Sequence, residues 1–339
     1  MRRLFAPALA VALAGSLAAC GGDASGEEAD ALVIYSGRNE ALVSPILDQL
    51  EEEVGVPVEV RYAESSELAA QLLEEGDATD ADLFFSQDAG ALGALAKADM
   101  LAPLDESVTS LVPEDYRDDE GRWVATSARA RVLAYDPAQV PEIESITAID
   151  QILEPAYQGK IGYAPTNASF HAFVTALRVE RGEDGAREWL EAFAAQQPEA
   201  FENNNAVLDA ADGGQIALGL INHYYWYAKV AEEGEDAVNA RIHFLDSDDP
   251  GALVNVAGVG VIAGTDQADA ASAAVEFLLS DTTQQYFADE TAEYPVVEGV
   301  ASTEFDLEPL RELDSHQIDL NDLDSLDETL ALLDEVGLT

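Results

Sequence analysis

Ala128-Arg129-Ala130-Arg131-Val132-Leu133-Ala134-Tyr135 and, far along the chain, Val254-Asn255-Val256-Ala257-Gly258-Val259-Gly260-Val261-Ile262-Ala263 are two long β-type runs. Both are dominated by small and β-branched residues, as strands covered on two faces are. Between them lies an α/β set of its own: strands at 160–164 and 215–221, helices at 170–181, 183–195 and 223–233. Ahead of the first run, strands at 31–35, 56–62 and 82–86 alternate with three helices. These end near Glu53, carry Leu68, Leu72 and Leu73 on one face, and span 89–98. Helical patterns follow the second run at 267–279, 282–289 and 323–336. Alternation of this kind defines an α/β chain.

The order of these segments describes one lobe, an inserted lobe and a return through a paired strand. A hinged two-lobe α/β fold with a cleft between the lobes follows. The N-terminal lobe is expected over 31–131 and 255–306, and the C-terminal lobe over 132–254 and 307–339. A chain of 339 residues is also too long for one ordinary core.

The first residues read as a leader rather than as fold. Arg2 and Arg3 precede an apolar stretch over 4–15, and Leu17-Ala18-Ala19-Cys20 closes it with small residues and the only cysteine of the chain. The pattern resembles the bacterial lipobox, which implies a signal peptide over 1–19 and a lipid anchor on Cys20. Residues 20–30, rich in Gly, Asp, Ala and Glu, read as a flexible tether. Charge is extreme: 67 acidic side chains against 16 Lys and Arg give a formal net of −51. Nucleic acid is excluded as a partner, since phosphate backbones are held by Lys and Arg. Such a surface suits a salty exterior, where ions screen self-repulsion.

Asn222-His223-Tyr224-Tyr225-Trp226-Tyr227 is the most unusual run. Adjacent helix positions lie about 100° apart, so one tyrosine of a core pair would point away. Two phenols presented to one cleft would instead begin a ligand set for a hard trivalent cation. An aromatic cluster at a lobe interface is the plainer reading of the same residues.

The chain resembles the ferric-iron-binding solute receptors of bacterial ABC importers over nearly all of its length. The matching blocks are Ile34-Tyr35-Ser36-Gly37-Arg38, Ala81-Asp82-Leu83-Phe84-Phe85-Ser86, Arg129-Ala130-Arg131-Val132, Tyr135-Asp136 and Ile161-Gly162-Tyr163-Ala164-Pro165-Thr166. Ile221 to Trp226, Asp249 to Val254, and Ala292-Glu293-Tyr294-Pro295 complete them. The resemblance implies a type II periplasmic-binding-protein-like fold, Fe³⁺ as transported ligand and no catalysis. It also implies an ABC permease and ATPase as partners, a monomer, and a place on the outer face of the cytoplasmic membrane or in the periplasm.

Tyr224 and Tyr225 correspond to the phenolate ligands of that family. Its first-lobe ligands, a histidine and a glutamate, are replaced by Asn39 and Gln87, while Asp88 reads as a helix N-cap. A further tyrosine used by one subgroup corresponds to Phe170. Two phenolates leave an octahedral ion incomplete, and the family supplies a synergistic anion such as phosphate or carbonate at a helix N-terminus. The matching positions are Asn167, Ala168, Ser169, Asn204 and Asn222, with turn and cap chemistry as their ordinary alternative. Arg129 and Arg131 are candidates for an anion contact or for structural salt bridges. His223 reads as local packing, Tyr227 as facing elsewhere, and the glycines of 258–264 as a hinge strand rather than a dinucleotide loop. The alternative function within this fold is a receptor for a small organic or oxyanionic solute, such as a phosphate ester, a phosphonate or an iron chelate.

Overall fold

The computed structural model of the protein describes residues 30–313 and 318–339. The leader, Cys20, the tether up to its last residue and His316 lie outside the described residues.

The chain opens with β1 (Leu32–Ser36), α1 (Glu40–Val54), β2 (Val58–Tyr62), α2 (Ser65–Glu75), β3 (Leu83–Ser86) and α3 (Ala89–Lys97). A short α4 (Glu106–Thr109) precedes the long β4 (Val124–Tyr135). Then come β5 (Ile161–Tyr163), α5 (Ala168–Ala195), β6 (Glu199–Ala200), α6 (Asn204–Asp212), β7 (Leu218–Asn222), α7 (His223–Glu233) and β8 (Arg241–His243). The return strand β9 (Val254–Val261) leads to α8 (Ala268–Leu278), α9 (Asp281–Glu290) and α10 (Leu326–Val336).

The strands run β2-β1-β3-β9-β4-β7-β5-β6, with β8 also on β4. β4 serves both lobes. Val124 to Ala130 pair antiparallel with β9, whereas Arg131 to Tyr135 pair antiparallel with β7. The changeover falls between Ala130 and Arg131, where the Arg131 N–H donates to the Leu253 carbonyl at 2.9 Å. Every residue of β9, and all of β4 but its last, is buried, which is why both read as unbroken apolar runs. Gly258 is required by close approach: a Cβ there would stand 2.7 Å from the Val124 carbonyl and 2.8 Å from Leu92 Cδ1. The glycine-rich run is therefore a hinge strand.

The first-lobe core gathers Leu32, Ile34, Leu83, Phe84, Phe85, Leu92 and Val259. The second lobe has two clusters. Leu133 joins one with Phe170, Phe173, Trp189 and Phe193, while Val132 and Ala134 join the other with Val207 and Ile221. That alternation is a strand with both faces covered. The two helices expected at 170–181 and 183–195 form one run, α5, broken at Gly182 with φ 69° and ψ 170°.

Some features differ from expectation, among them the last helix, which begins at Leu326 rather than Leu323. The strand expected at 215–221 begins at Leu218 and continues to Asn222. Helix α6 escaped notice because Asn203-Asn204-Asn205 reads as a turn; Asn203 is in fact its N-cap, accepting from the Ala206 N–H at 3.0 Å. Residues 307–324 were expected in the second lobe, yet Leu310, Leu320 and Leu323 belong to the first-lobe core. There Trp123 Nε1 donates to Asn321 Oδ1 at 2.9 Å, and a Cβ on Gly90 would meet the Leu323 carbonyl at 2.3 Å. Only α10 joins the second lobe. Leu332 and Leu333 pack into its core, and Arg178 Nη1 donates to the Ser325 carbonyl at 2.8 Å. The chain thus crosses between lobes a third time near Ser325.

Candidate functional site

The site forms where β7 ends and α7 begins. Asn222 holds an extended backbone at the N-cap but its side chain makes no cap bond to the first-turn N–H groups. Tyr224 and Tyr225 stand in that first turn with ring centroids 4.3 Å apart and planes tilted by 31°. The expected divergence of adjacent tyrosines does not occur. Helical side chains lean toward the N-terminus, and no earlier turn separates these two, so both rings reach over the helix end.

The flanking aromatics are engaged elsewhere. His223 is fully buried and stacks on Tyr294 at 4.4 Å. Its Nδ1 accepts from the Ala130 N–H at 3.3 Å and its Nε2 donates to the Ala292 carbonyl at 2.8 Å, a neutral tautomer with both nitrogens occupied. Burial lowers its pKa to about 4. Tyr227 donates to the Asp306 carbonyl at 3.0 Å, and Trp226 Nε1 to the Ala240 carbonyl at 2.8 Å. Packing for His223 and an outward Tyr227 are both as expected.

Cross-strand partners project from one face of a sheet, and so do positions i and i+2. Arg129 lies opposite Asn255, and Arg131 lies opposite Asn222. These four side chains therefore share one face of the β7-β4-β9 ladder, with Asn222 two residues before Tyr224. Both arginines are buried. Arg129 Nη2 donates to the Gln87 carbonyl, while its Nε and Nη1 have no partner among the described residues. Arg131 Nη1 donates to the Ser169 carbonyl at 2.9 Å and to Ser169 Oγ at 3.2 Å, and its Nη2 has no partner there. Neither forms a salt bridge among the described residues. Desolvation lowers both guanidinium pKa values, Arg131 to about 10. The Tyr224 phenol moves the other way. Burial and then the neighbouring Tyr225 push it well above the usual range, with Arg129 opposing.

The second lobe contributes a polar knot beside Arg131. Asn167 caps α5 by accepting from the Ser169 N–H at 3.0 Å and from Ser169 Oγ at 2.5 Å. Asn204 Nδ2, at the start of α6, donates to Asn167 Oδ1 and to Ser169 Oγ, each at 3.3 Å. Ala168 supplies backbone at the first position of α5. Four of the five expected anion positions are thus brought together, and Asn222 is placed near them by its register with Arg131. Phe170 is buried in the second-lobe core.

The first lobe behaves differently. Asn39 is exposed and caps α1, accepting from the Ala41 N–H at 2.9 Å. Gln87 is tied down: its N–H donates to Ser65 Oγ at 2.8 Å and its Oε1 accepts from Arg38 at 3.1 Å. Asp88 caps α3 through the Ala91 N–H at 3.1 Å, as expected. Behind them Arg38 makes a bidentate pair with Glu293, at 3.1 and 2.7 Å, that solvent does not reach. Ser127 Oγ adds a 2.8 Å bond to Glu293, and this company holds its carboxyl below the usual range despite burial. Sequence reasoning did not find this pair or Asn255. Gln87 and Asp88 from the first lobe and Thr166, Ala168 and His171 from the second are among the residues lining a cavity of about 740 Å³.

Fold and site together give two α/β lobes that share β4 and β9, with the tyrosine pair at the start of α7 close to those shared strands. The chain belongs to the family described as bacterial extracellular solute-binding protein, whose model matches residues 78–321. It is 32% identical to the Fe(3+)-binding periplasmic protein of Serratia marcescens, covering 96% of each chain. It is also 32% identical to the major ferric iron-binding protein of Neisseria meningitidis serogroup B, over 91% of this chain and 93% of that one. Iron-bound HitA from Pseudomonas aeruginosa superposes with a TM-score of 0.82 at 32% identity, over 91% of this chain and 99% of that one.

Proposed function

We propose that this protein is the lipid-anchored receptor of a bacterial ABC importer. It captures ferric iron between its lobes on the phenolates of Tyr224 and Tyr225 together with a synergistic oxyanion, and hands it as a monomer to a permease and its ATPase. The observation that carries this reading is the pair of phenol rings at the open end of α7, 4.3 Å apart and beside two guanidiniums with unfilled donors. The names of the relatives point to the same cargo. A trivalent ion favours hard oxygen donors and displaces the phenol protons as it binds. Phosphate or carbonate would lie against Asn167, Ala168, Ser169, Asn204 and Asn222, within reach of Arg131. Lobe closure about β4 and β9 would bury the ion.

Protein mixed with ferric salt and phosphate or carbonate is expected to show the visible absorption of tyrosinate-to-iron charge transfer. Tyr225→Phe and Tyr224→Phe should each abolish or strongly weaken it. A wild type that stays colourless with every anion would remove iron as the cargo. The 740 Å³ cavity beside Gln87 and Ala168 favours one second reading, a receptor for an iron chelate or another small oxyanionic solute. Calorimetry with ferric citrate, phosphate and phosphonates separates the two.

A further inference from the structure

We propose that the first lobe braces α7 from behind, and that His223, Tyr227 and Phe305 are positioning residues that set the orientation of the tyrosine pair. What the tyrosines hold rests on the ferric reading, whereas the brace stands on geometry. Asn39 and Gln87 are committed to α1 and to Arg38, so the first lobe meets the tyrosine helix by another route, the segment 292–306. His223 and Tyr227 lie four residues apart on α7 and so stand on one face of it. Both meet that segment. His223 stacks on Tyr294 at 4.4 Å and donates from Nε2 to the Ala292 carbonyl at 2.8 Å. One turn further along, Tyr227 sets its ring edge-on to Phe305, with centroids 5.7 Å apart, and donates to the Asp306 carbonyl at 3.0 Å. Tyr225, Trp226 and Val230 pack instead on the second-lobe cluster of Val207 and Ile221. Both lobes therefore hold α7.

The segment is itself fastened to the first lobe near each end. Tyr294 and Ala128 exchange both backbone hydrogen bonds at 2.9 Å, and Tyr294 and Val296 are buried in the first-lobe core. Further on, Asp289 of α9 accepts from Ser302 Oγ at 2.9 Å, from the Thr303 N–H at 2.7 Å and from Thr303 Oγ1 at 3.1 Å. That knot fixes the chain just before Phe305 and Asp306. From there the contact passes to the site through rings. His223 lies edge-on to Tyr227 with centroids 6.1 Å apart, and edge-on to Tyr224 at 5.9 Å. A row Phe305, Tyr227, His223, Tyr224 thus runs from a first-lobe loop to one phenol of the pair. Edge-to-face rings restrict one another's orientation, so a shift at Phe305 is felt at Tyr224.

The test compares Tyr227→Phe and Phe305→Ala with Lys229→Gln in the full chain. Tyr227→Phe removes only the hydroxyl that bonds Asp306, and Phe305→Ala removes the ring beside it. Lys229→Gln loosens α7 on its second-lobe side, where Lys229 bonds Asp209 at 2.9 Å and Glu233 at 2.7 Å. Amide hydrogen exchange of 223–227 is measured in iron-free protein. Protein loaded with ferric salt and phosphate then gives the position of the charge-transfer band and the rate of iron loss to excess EDTA. Both brace variants should speed exchange and iron loss by about fivefold, the worth of one neutral hydrogen bond or ring contact, and shift the band. Lys229→Gln should leave the band in place and both rates within about twofold, as a surface ion pair does. Wild-type rates in both brace variants overturn the proposal, and so does an equal effect of Lys229→Gln. Faster exchange with an unmoved band and unchanged iron loss reduces the contact to packing and overturns the positioning role. A wild type that never colours sinks the ferric reading; exchange that is faster in the brace variants alone then upholds the brace, and its absence overturns it. Should Phe305→Ala fail to give the wild-type circular dichroism, Phe305→Leu takes its place, with the same outcomes.

Discussion

The two lobes meet the cleft with opposite habits. In the first lobe the polar side chains are tied to one another: Asn39 to a helix end, Gln87 to Ser65 and Arg38, Arg38 to Glu293. In the second lobe and along the hinge, two phenols crown an uncapped helix and two arginines keep unfilled donors. The difference is one of degree: among the described residues Arg38 leaves one guanidinium nitrogen unfilled on the first side, while Arg129 and Arg131 leave three on the other. A site that must close on a guest needs both, a rigid wall and a face whose hydrogen bonds the guest completes.

Breaking the rigid wall should have the largest effect on stability. Arg38→Met strands the Glu293 carboxylate in a site that water does not reach, and loss of one partner of a buried pair costs about 3–5 kcal/mol. Urea unfolding at neutral pH checks this. A loss under about 1 kcal/mol would show the pair to be incidental.

The hinge side should be the acid-sensitive one. His223 has its pKa lowered to about 4 from an ordinary value of 6.5. Unfolded chain takes up a proton below 6.5 that folded chain refuses until about 4. Stability is therefore full above that window and falls as pH drops through it, by about 3 kcal/mol in all. His223→Gln, measured by unfolding at matched ionic strength, should flatten this part of the profile. An unchanged slope would show that other groups carry it.

The sharpest comparison uses two asparagines doing the same local job. Asn39→Ala and Asn167→Ala each remove a helix N-cap, at about 1 kcal/mol. Only Asn167→Ala should also weaken the phosphate dependence of the iron charge-transfer band, because only Asn167 belongs to the knot with Ser169 and Asn204. Equal effects on that dependence would erase the distinction between the lobes.

How much of this was legible depended on the range of the interaction that decides each feature. The hinge strands announced themselves because burial on both faces demands an unbroken apolar run, a local signature. The tyrosine pair was visible for the same reason, although its geometry was not, since a helix end frees side chains that a helix interior would separate. Asp88 was readable as a cap from its place before an apolar helix. Asn255 was not, because its meaning lies in register with Arg129 across the hinge. Nor was the excursion of Leu310, Leu320 and Leu323 back to the first lobe, where the stretch around Asn321 and Leu323 lies close against Gly90 and Gly93 of α3.

That excursion has a mechanical result. Two neighbouring strands act like the leaves of a piano hinge and leave torsion lightly restrained. A further link at Ser325, fixed to α3 on one side and to Arg178 on the other, works as a door stay. Such a stay would limit how far the leaves could part and would resist twisting between them.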